Sequence, residues 1–159
     1  MTDYSTLLPQ LLDQEEKLQF TKFGSDDALA LGLKLIDNAS AYPKPVVIDI
    51  TVAGHELFHF AMQGTGPDNN EWVRRKNNSV MRFRHSSFYL GQYCASQGKT
   101  LQEKYLISEQ DYVFHGGAFP LIIKGVGVIG TVTVSGLAQQ DDHGVVVKTI
   151  AEYIATQLQ

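Results

Sequence analysis

The sequence predicts a mixed α/β fold of the α+β kind: an antiparallel sheet of about five or six strands with helices packed on it. Three observations carry that expectation. PVVIDITVAGHELFHFAM alternates apolar and polar residues on both sides of a glycine-containing turn, as a hairpin does. Apolar residues recur at helical spacing near both ends of the chain and across its middle. The expected element order, α β α β β α β β β α, has short hairpins and no βαβ series.

Each element has a local reason. Residues 3 to 18 read as a helix, because Leu7, Leu8, Leu11, Leu12 and Glu15 repeat at helical spacing and Pro9 is tolerated in the first turns. Leu18 to Phe23 alternates and reads as a short strand. Ser25 or Asp26 caps a second helix, with Leu29, Leu33, Ile36 and Ala39 inward, ending before Pro43. In the hairpin Val46, Ile48, Ile50 and Val52 share one face; Ala53-Gly54-His55 turns; Phe58, Phe60 and Met62 share a face on the return.

A single long helix is expected from Trp72 to Leu90, since no glycine or proline interrupts it before Gly91. Gly64, Gly66 and Pro67 form the loop before it, and Asp68 or Asn69 is placed to cap it. At 100° per residue, Trp72, Lys76, Ser79, Phe83, Ser87, Leu90 and Cys94 form a buried stripe. Arg75, Arg82, Tyr89 and Tyr93 form a basic and hydroxyl-bearing flank. Met81 and Phe88 form a second apolar patch that calls for another neighbour. Gly98 and Lys99 end this region, and Thr100 to Ser108 reads as a short helix. Tyr112 to Val134 reads as strand, with turns at Gly116-Gly117 and near Gly125 and Gly127. From Gln139 a last helix turns Val146, Ile150, Tyr153 and Ile154 inward, with Asp141 and Asp142 at its positive end.

Composition narrows the class. With 159 residues, 43% hydrophobic and 19% charged, a single domain spanning 1–159 with a sizeable core is expected. The net charge is -4, and the basic residues cluster locally at Arg74, Arg75, Lys76, Arg82 and Arg84. That balance argues against nucleic acid as partner and for a local anion site or an ion-paired surface. One cysteine excludes an intrachain disulfide and a CxxC metal site. MTDYSTLLPQLL has no basic leader and the apolar runs are short, so a cytoplasmic protein with no membrane span is expected.

The candidate ligand-binding residues fall in three groups. Asp68, Asn69, Trp72, Arg75 and Lys76 lie where a loop feeds a helix start, a natural anion site. The bland alternative is a cap, a core tryptophan and surface ion pairs. Arg82, His85 and Ser86 join the set, although neighbours on a helix diverge by 100° and His85 is badly placed to activate Ser86. His115, Gly116 and Gly117 form the third group: the glycines permit close backbone approach, or make a bulge. His115 and His143 are the candidate catalytic residues. His55-Glu56-Leu57-Phe58-His59 has the letters of HExxH, but on a strand the two histidines stand about 13 Å apart, so no metal is expected. Cys94 reads as a buried small hydrophobe. Gly125, Gly127 and Gly130 open no helix and make no phosphate loop.

Several motifs carry a family resemblance: PDNNEWVRRK, RFRHSS, HGGAFP, IGTVTVSGL and DDH, in this order. The chain closely resembles a family of small bacterial and fungal proteins within the GlcG/HbpS-like group, often labelled "haem-degrading domain". The resemblance covers essentially the whole chain. It implies a profilin-like α/β fold and a homo-oligomer, and it raises haem as a ligand. It carries no haem-ligand position onto a numbered residue here. Three functions follow as expectations. The first is an oligomeric small-ligand-binding protein with its pocket near an intersubunit seam. The second is an enzyme degrading haem or acting on a small anionic metabolite. The third is a scaffold without a small ligand, using the Met81 and Phe88 patch.

Overall fold

The structure, a computed structural model, describes residues 1–158. Its elements are α1 (Tyr4–Lys17), α2 (Ser25–Ala39), β1 (Val47–Val52), β2 (His55–Ala61), α3 (Pro67–Phe83), α4 (Ser87–Ser96), α5 (Leu101–Tyr105), β3 (Ala118–Ile123), β4 (Gly127–Ser135) and α6 (Gln139–Gln157). The strands make one antiparallel sheet in the order β2-β1-β4-β3. The fold class is as expected, but the sheet has four strands rather than five or six.

Both differences in strand count have a visible cause. Leu18 to Phe23 is not a strand: only Phe20 bridges Ile123, donating to the Ile122 carbonyl at 2.8 Å. Tyr112 to His115 is not a strand either. Ser79 Oγ on α3 accepts from the Val113 N–H at 3.1 Å and donates to the Val113 carbonyl at 2.8 Å. Those backbone groups are satisfied by a helix side chain and have no need of a sheet partner.

The sheet has two unlike faces. Ile48, Ile50, Phe119, Leu121, Val132 and Val134 are buried against α2 and α6, where Leu31, Leu35, Val146 and Ile150 meet them. Each such side chain stabilises the fold by about 2 kcal/mol. The opposite face presents Asp49, Thr131, Thr133 and Ser135 toward α3. A helix laid on a polar sheet face must match it with polar groups, and Lys76 and Asn77 do so. This is why polar side chains line the sheet-facing side of α3 and apolar ones that of α2.

The expected long helix over 72–90 is two helices. Arg84 adopts a left-handed conformation, φ 63°, and closes α3 with its N–H on the Val80 carbonyl at 2.8 Å. Ser86 then caps α4, its Oγ accepting from the Tyr89 N–H at 3.1 Å. The buried Glu15 of α1 holds the break. Its carboxylate accepts from the Ser86 N–H at 3.1 Å and pairs with His85 Nδ1 at 2.7 Å. In a continuous helix that N–H would serve a carbonyl four residues back. The break also dissolves the second apolar patch: Met81 stays exposed, whereas Phe88 turns inward against His143. Among the described residues no helix is long and apolar enough to cross a membrane.

Candidate functional site

The first turn of α3 is shaped by Asn69, whose Oδ1 accepts from the Gly66 N–H at 3.0 Å. That start aims Trp72, Arg75 and Lys76 across the sheet toward the segment ending in His115-Gly116-Gly117. The glycines are demanded by this approach. A Cβ on Gly116 would stand 2.3 Å from the Gln139 carbonyl oxygen. A Cβ on Gly117 would stand 2.3 Å from the Val134 oxygen and 2.7 Å from Lys76 Nζ. Gly117 also takes φ 141°, which other residues avoid.

Two clefts open there. One, of about 320 Å³, is lined by Asn69, Trp72, Lys76 and His115 together with Ser135, Gln139 and Asp142. The other, of about 370 Å³, shares Trp72 and His115 and adds Arg75 and Cys94. The Trp72 and His115 rings stand 5.3 Å apart at 34° and form the wall between the clefts. The Arg75 guanidinium lies 5.0 Å over the Trp72 ring, and its Nε donates to the Glu109 carbonyl.

The floor of the first cleft is an ion pair, Lys76 Nζ to Asp142 Oδ2 at 3.2 Å, with both side chains buried. Asp142 also accepts from the N–H groups of Leu137 at 2.9 Å and Gly136 at 3.2 Å. Burial pulls the Lys76 ammonium below its ordinary range, against the opposing pull of Asp142. Burial pushes the Asp142 carboxyl up, opposed by Lys76 and the two backbone donors. Three donors around one carboxylate favour the charged pair. His115 is displaced the other way from a typical paired histidine. Burial, then the Lys76 and Arg75 charges, hold it below its usual range, so its imidazole is neutral at pH 7 and still exposed.

The structure therefore brings Asn69, Trp72, Arg75, Lys76, His115, Gly116 and Gly117 together. It places the other candidates elsewhere. Asp68 is exposed in the first turn of α3. Arg82 rests over the Phe83 and Tyr112 rings. His85 and Ser86 are held by Glu15 in the α3–α4 turn rather than on a helix. His143 is buried between Phe88 and Phe119, with Nε2 2.8 Å from Gln14 Oε1. Burial lowers its pKa to about 4.

Sequence reasoning missed Ser135, Gln139 and Asp142 as lining residues. The signal for Asp142 is DDH, which marks a helix start and a family motif but does not name Lys76 as its partner. It also missed the convergence of Asp49, Glu56 and His59. Glu56 and His59 of HELFH meet Asp49 of the neighbouring strand.

Known proteins give this geometry a context. The family model described as "Haem degrading protein HbpS-like" matches residues 23–151. A UPF0303 protein of Streptomyces coelicolor is 43% identical over 145 residues, covering 91% of this chain and 92% of its own. The crystal structure of Ybr137w protein matches with a TM-score of 0.89 at 34% identity, over 97% of this chain and 91% of that one. A PduOC:Heme complex shares the fold, with a TM-score of 0.68 at 23% identity, over 81% of this chain and 93% of that one. On the first of these matches, which spans most of the sequence, the chain belongs to the HbpS-like haem-degrading protein family.

Proposed function

We propose that the chain works as one domain of a cytoplasmic homo-oligomer that binds a small, flat, anionic ligand at the Trp72–His115 wall. The observation that carries this reading is the combination there of a flat ring pair, a guanidinium and a neutral, exposed imidazole. Arg75 suits a carboxylate of the ligand, and Trp72 suits a planar face. Haem is the ligand that the family description and the PduOC:Heme relative favour. The residues present fit it: His115 offers a nitrogen donor and Arg75 a propionate partner. When bound, haem would supply iron and redox chemistry, and these residues would hold and orient it. Each cleft is at the small end for a ligand pocket, so a macrocycle would span both.

Self-association, on the face of the sheet away from the clefts, is supported by apolar surface other than Met81 and Phe88. Leu29 and Leu33 of α2 are exposed at 54% and 56%, and Phe60 on the edge strand β2 at 43%. Hemin titration of the purified protein tests the ligand. A saturable Soret shift is expected, weakened at least about tenfold in His115→Ala with an unchanged circular dichroism spectrum. Absence of saturable binding removes haem from the reading.

A second reading, an enzyme acting on a small anionic metabolite, is favoured by the buried Lys76–Asp142 pair, two titratable groups that line the same cleft as His115. It requires a substrate whose turnover falls in His115→Ala.

A further inference from the structure

The polar face of the sheet holds a second cluster at its β1–β2 edge. His59 of β2 faces Asp49 of β1 in register. Glu56, an odd number of residues away, belongs on the opposite face of a regular strand. A bulge corrects this: Ile50 pairs with Phe58 but Thr51 pairs with Glu56, so Leu57 is the extra residue. The bulge re-aims Glu56 onto the face of His59. His59 Nδ1 then lies 2.9 Å from Asp49 Oδ2 and 3.3 Å from Glu56 Oε2. One ligand atom from each residue lies within 4.8 Å of the others.

These separations match a coordination sphere. Nitrogen and oxygen ligands bind a first-row cation at about 2.0–2.2 Å, so neighbouring ligand atoms stand about 3.0 Å apart in an octahedron and about 3.4 Å in a tetrahedron. The set is mixed, one imidazole nitrogen and two carboxylates, which suits manganese, iron, cobalt or zinc better than calcium. The supporting shell is present too. Asp49 is 2% exposed, and its other oxygen, Oδ1, accepts from Thr51 Oγ at 2.7 Å, which turns Oδ2 toward His59. No lysine or arginine pairs with the cluster among the described residues. Arg74, the one cationic side chain among the pocket-lining residues apart from His59 itself, is engaged by Glu71 at 2.6 Å and Asp111 at 3.1 Å. The cluster forms one wall of a cavity of about 490 Å³, with Asn70, Asn77 and Asn78 of α3 on another.

We propose that Asp49, Glu56 and His59 bind one divalent first-row transition cation per chain, with the remaining coordination positions open to this cavity. On binding, any proton on Nδ1 is released and the ring serves as a neutral ligand. Three protein ligands leave room for water or an anionic group of a small molecule, with the three asparagines placed to hydrogen-bond it. The site is separate from the Trp72–His115 wall and does not depend on haem binding.

The test uses the untagged full chain, stripped with chelator and titrated with Co²⁺ and then Zn²⁺. One cobalt per chain is expected, with visible ligand-field bands that zinc abolishes. His59→Ala and Glu56→Gln should each weaken binding at least about tenfold while circular dichroism and hemin titration stay unchanged. His55→Ala, which alters the other histidine of HELFH, should bind cobalt as the wild type does. Both Glu56 and His59 are partly exposed, so their variants are expected to fold where Asp49→Asn need not. No saturable binding, undiminished binding in His59→Ala, or equal loss in His55→Ala would each overturn the proposal.

Discussion

His143 shows how much a single buried polar group can set. Its side chain is enclosed by Phe88 and Phe119, and Nε2 faces the Gln14 side-chain oxygen Oε1, which assigns the proton to Nε2. Nδ1 is buried with no hydrogen-bond partner among the described residues. Protonating the ring would place an unpaired charge in that setting, and its pKa falls to about 4. The folded value is below the unfolded one of about 6.5, so the unfolded chain binds the proton first as pH falls. Stability contributed by neutral His143 is complete above about pH 6.5 and is lost progressively down to about pH 4. The full loss is about 3 kcal/mol for a displacement of this size. Urea unfolding of wild type and His143→Leu at pH 7 and pH 4.5 measures it. The wild type should lose more stability than the variant over that interval; equal losses would mean that His143 charges in place.

At the scale of elements, two local interruptions do the positioning. The α3–α4 break lets α4 turn away from the line of α3 to pack chiefly on α1, and the bulge in β2 rotates Glu56. Neither interruption uses glycine or proline. Arg84-His85-Ser86 carries only one breaker signal, the capping ability of Ser86, and the decisive group, Glu15, lies 71 residues from it in sequence. Other element contacts do follow glycines. Gly32 lets α2 sit against β2: a Cβ there would fall 2.5 Å from the Phe58 ring. Gly32→Val is therefore expected to cost about 1–3 kcal/mol by overpacking. Gly32→Val combined with Phe58→Ala should cost less than the sum of the two single changes, because the clash is shared. Strict additivity of the unfolding free energies would show that α2 and β2 do not meet there.

At the scale of the whole molecule, one sheet separates two kinds of surface. The α2–α6 side is apolar inside and leaves Leu29, Leu33 and Phe60 exposed outside. The α3 side is polar inside and holds the clefts. The proposed assembly through the first side would leave the second for ligands. Light scattering at micromolar concentration should give a mass that is a multiple of 17.6 kDa. Leu29→Glu with Leu33→Glu should shift it toward one chain. A monomeric wild type would remove the intersubunit seam.

What could be read from the residues alone followed periodicity. The hairpin, α1, α6, the extent of α2 and the fold class were legible because alternation and helical spacing are local properties of the chain, and the family was legible from its motifs; the inward face of α2 was not, since Ala28, Leu31 and Leu35 are buried there while Leu29 and Leu33, expected inward, are exposed. So was part of the cleft, since loop glycines and a helix start mark where backbone can approach a ligand. Lys76 shows the limit. Its spacing put it on the inward stripe, but nothing near it in sequence names Asp142 as its counter-ion, 66 residues away. The same holds for Glu15 ending α3 and for Asp49 meeting Glu56 and His59. Periodicity ranks which face of an element turns inward; only tertiary structure decides which charged groups share that interior, because burial obliges each to find a partner from wherever the chain supplies one.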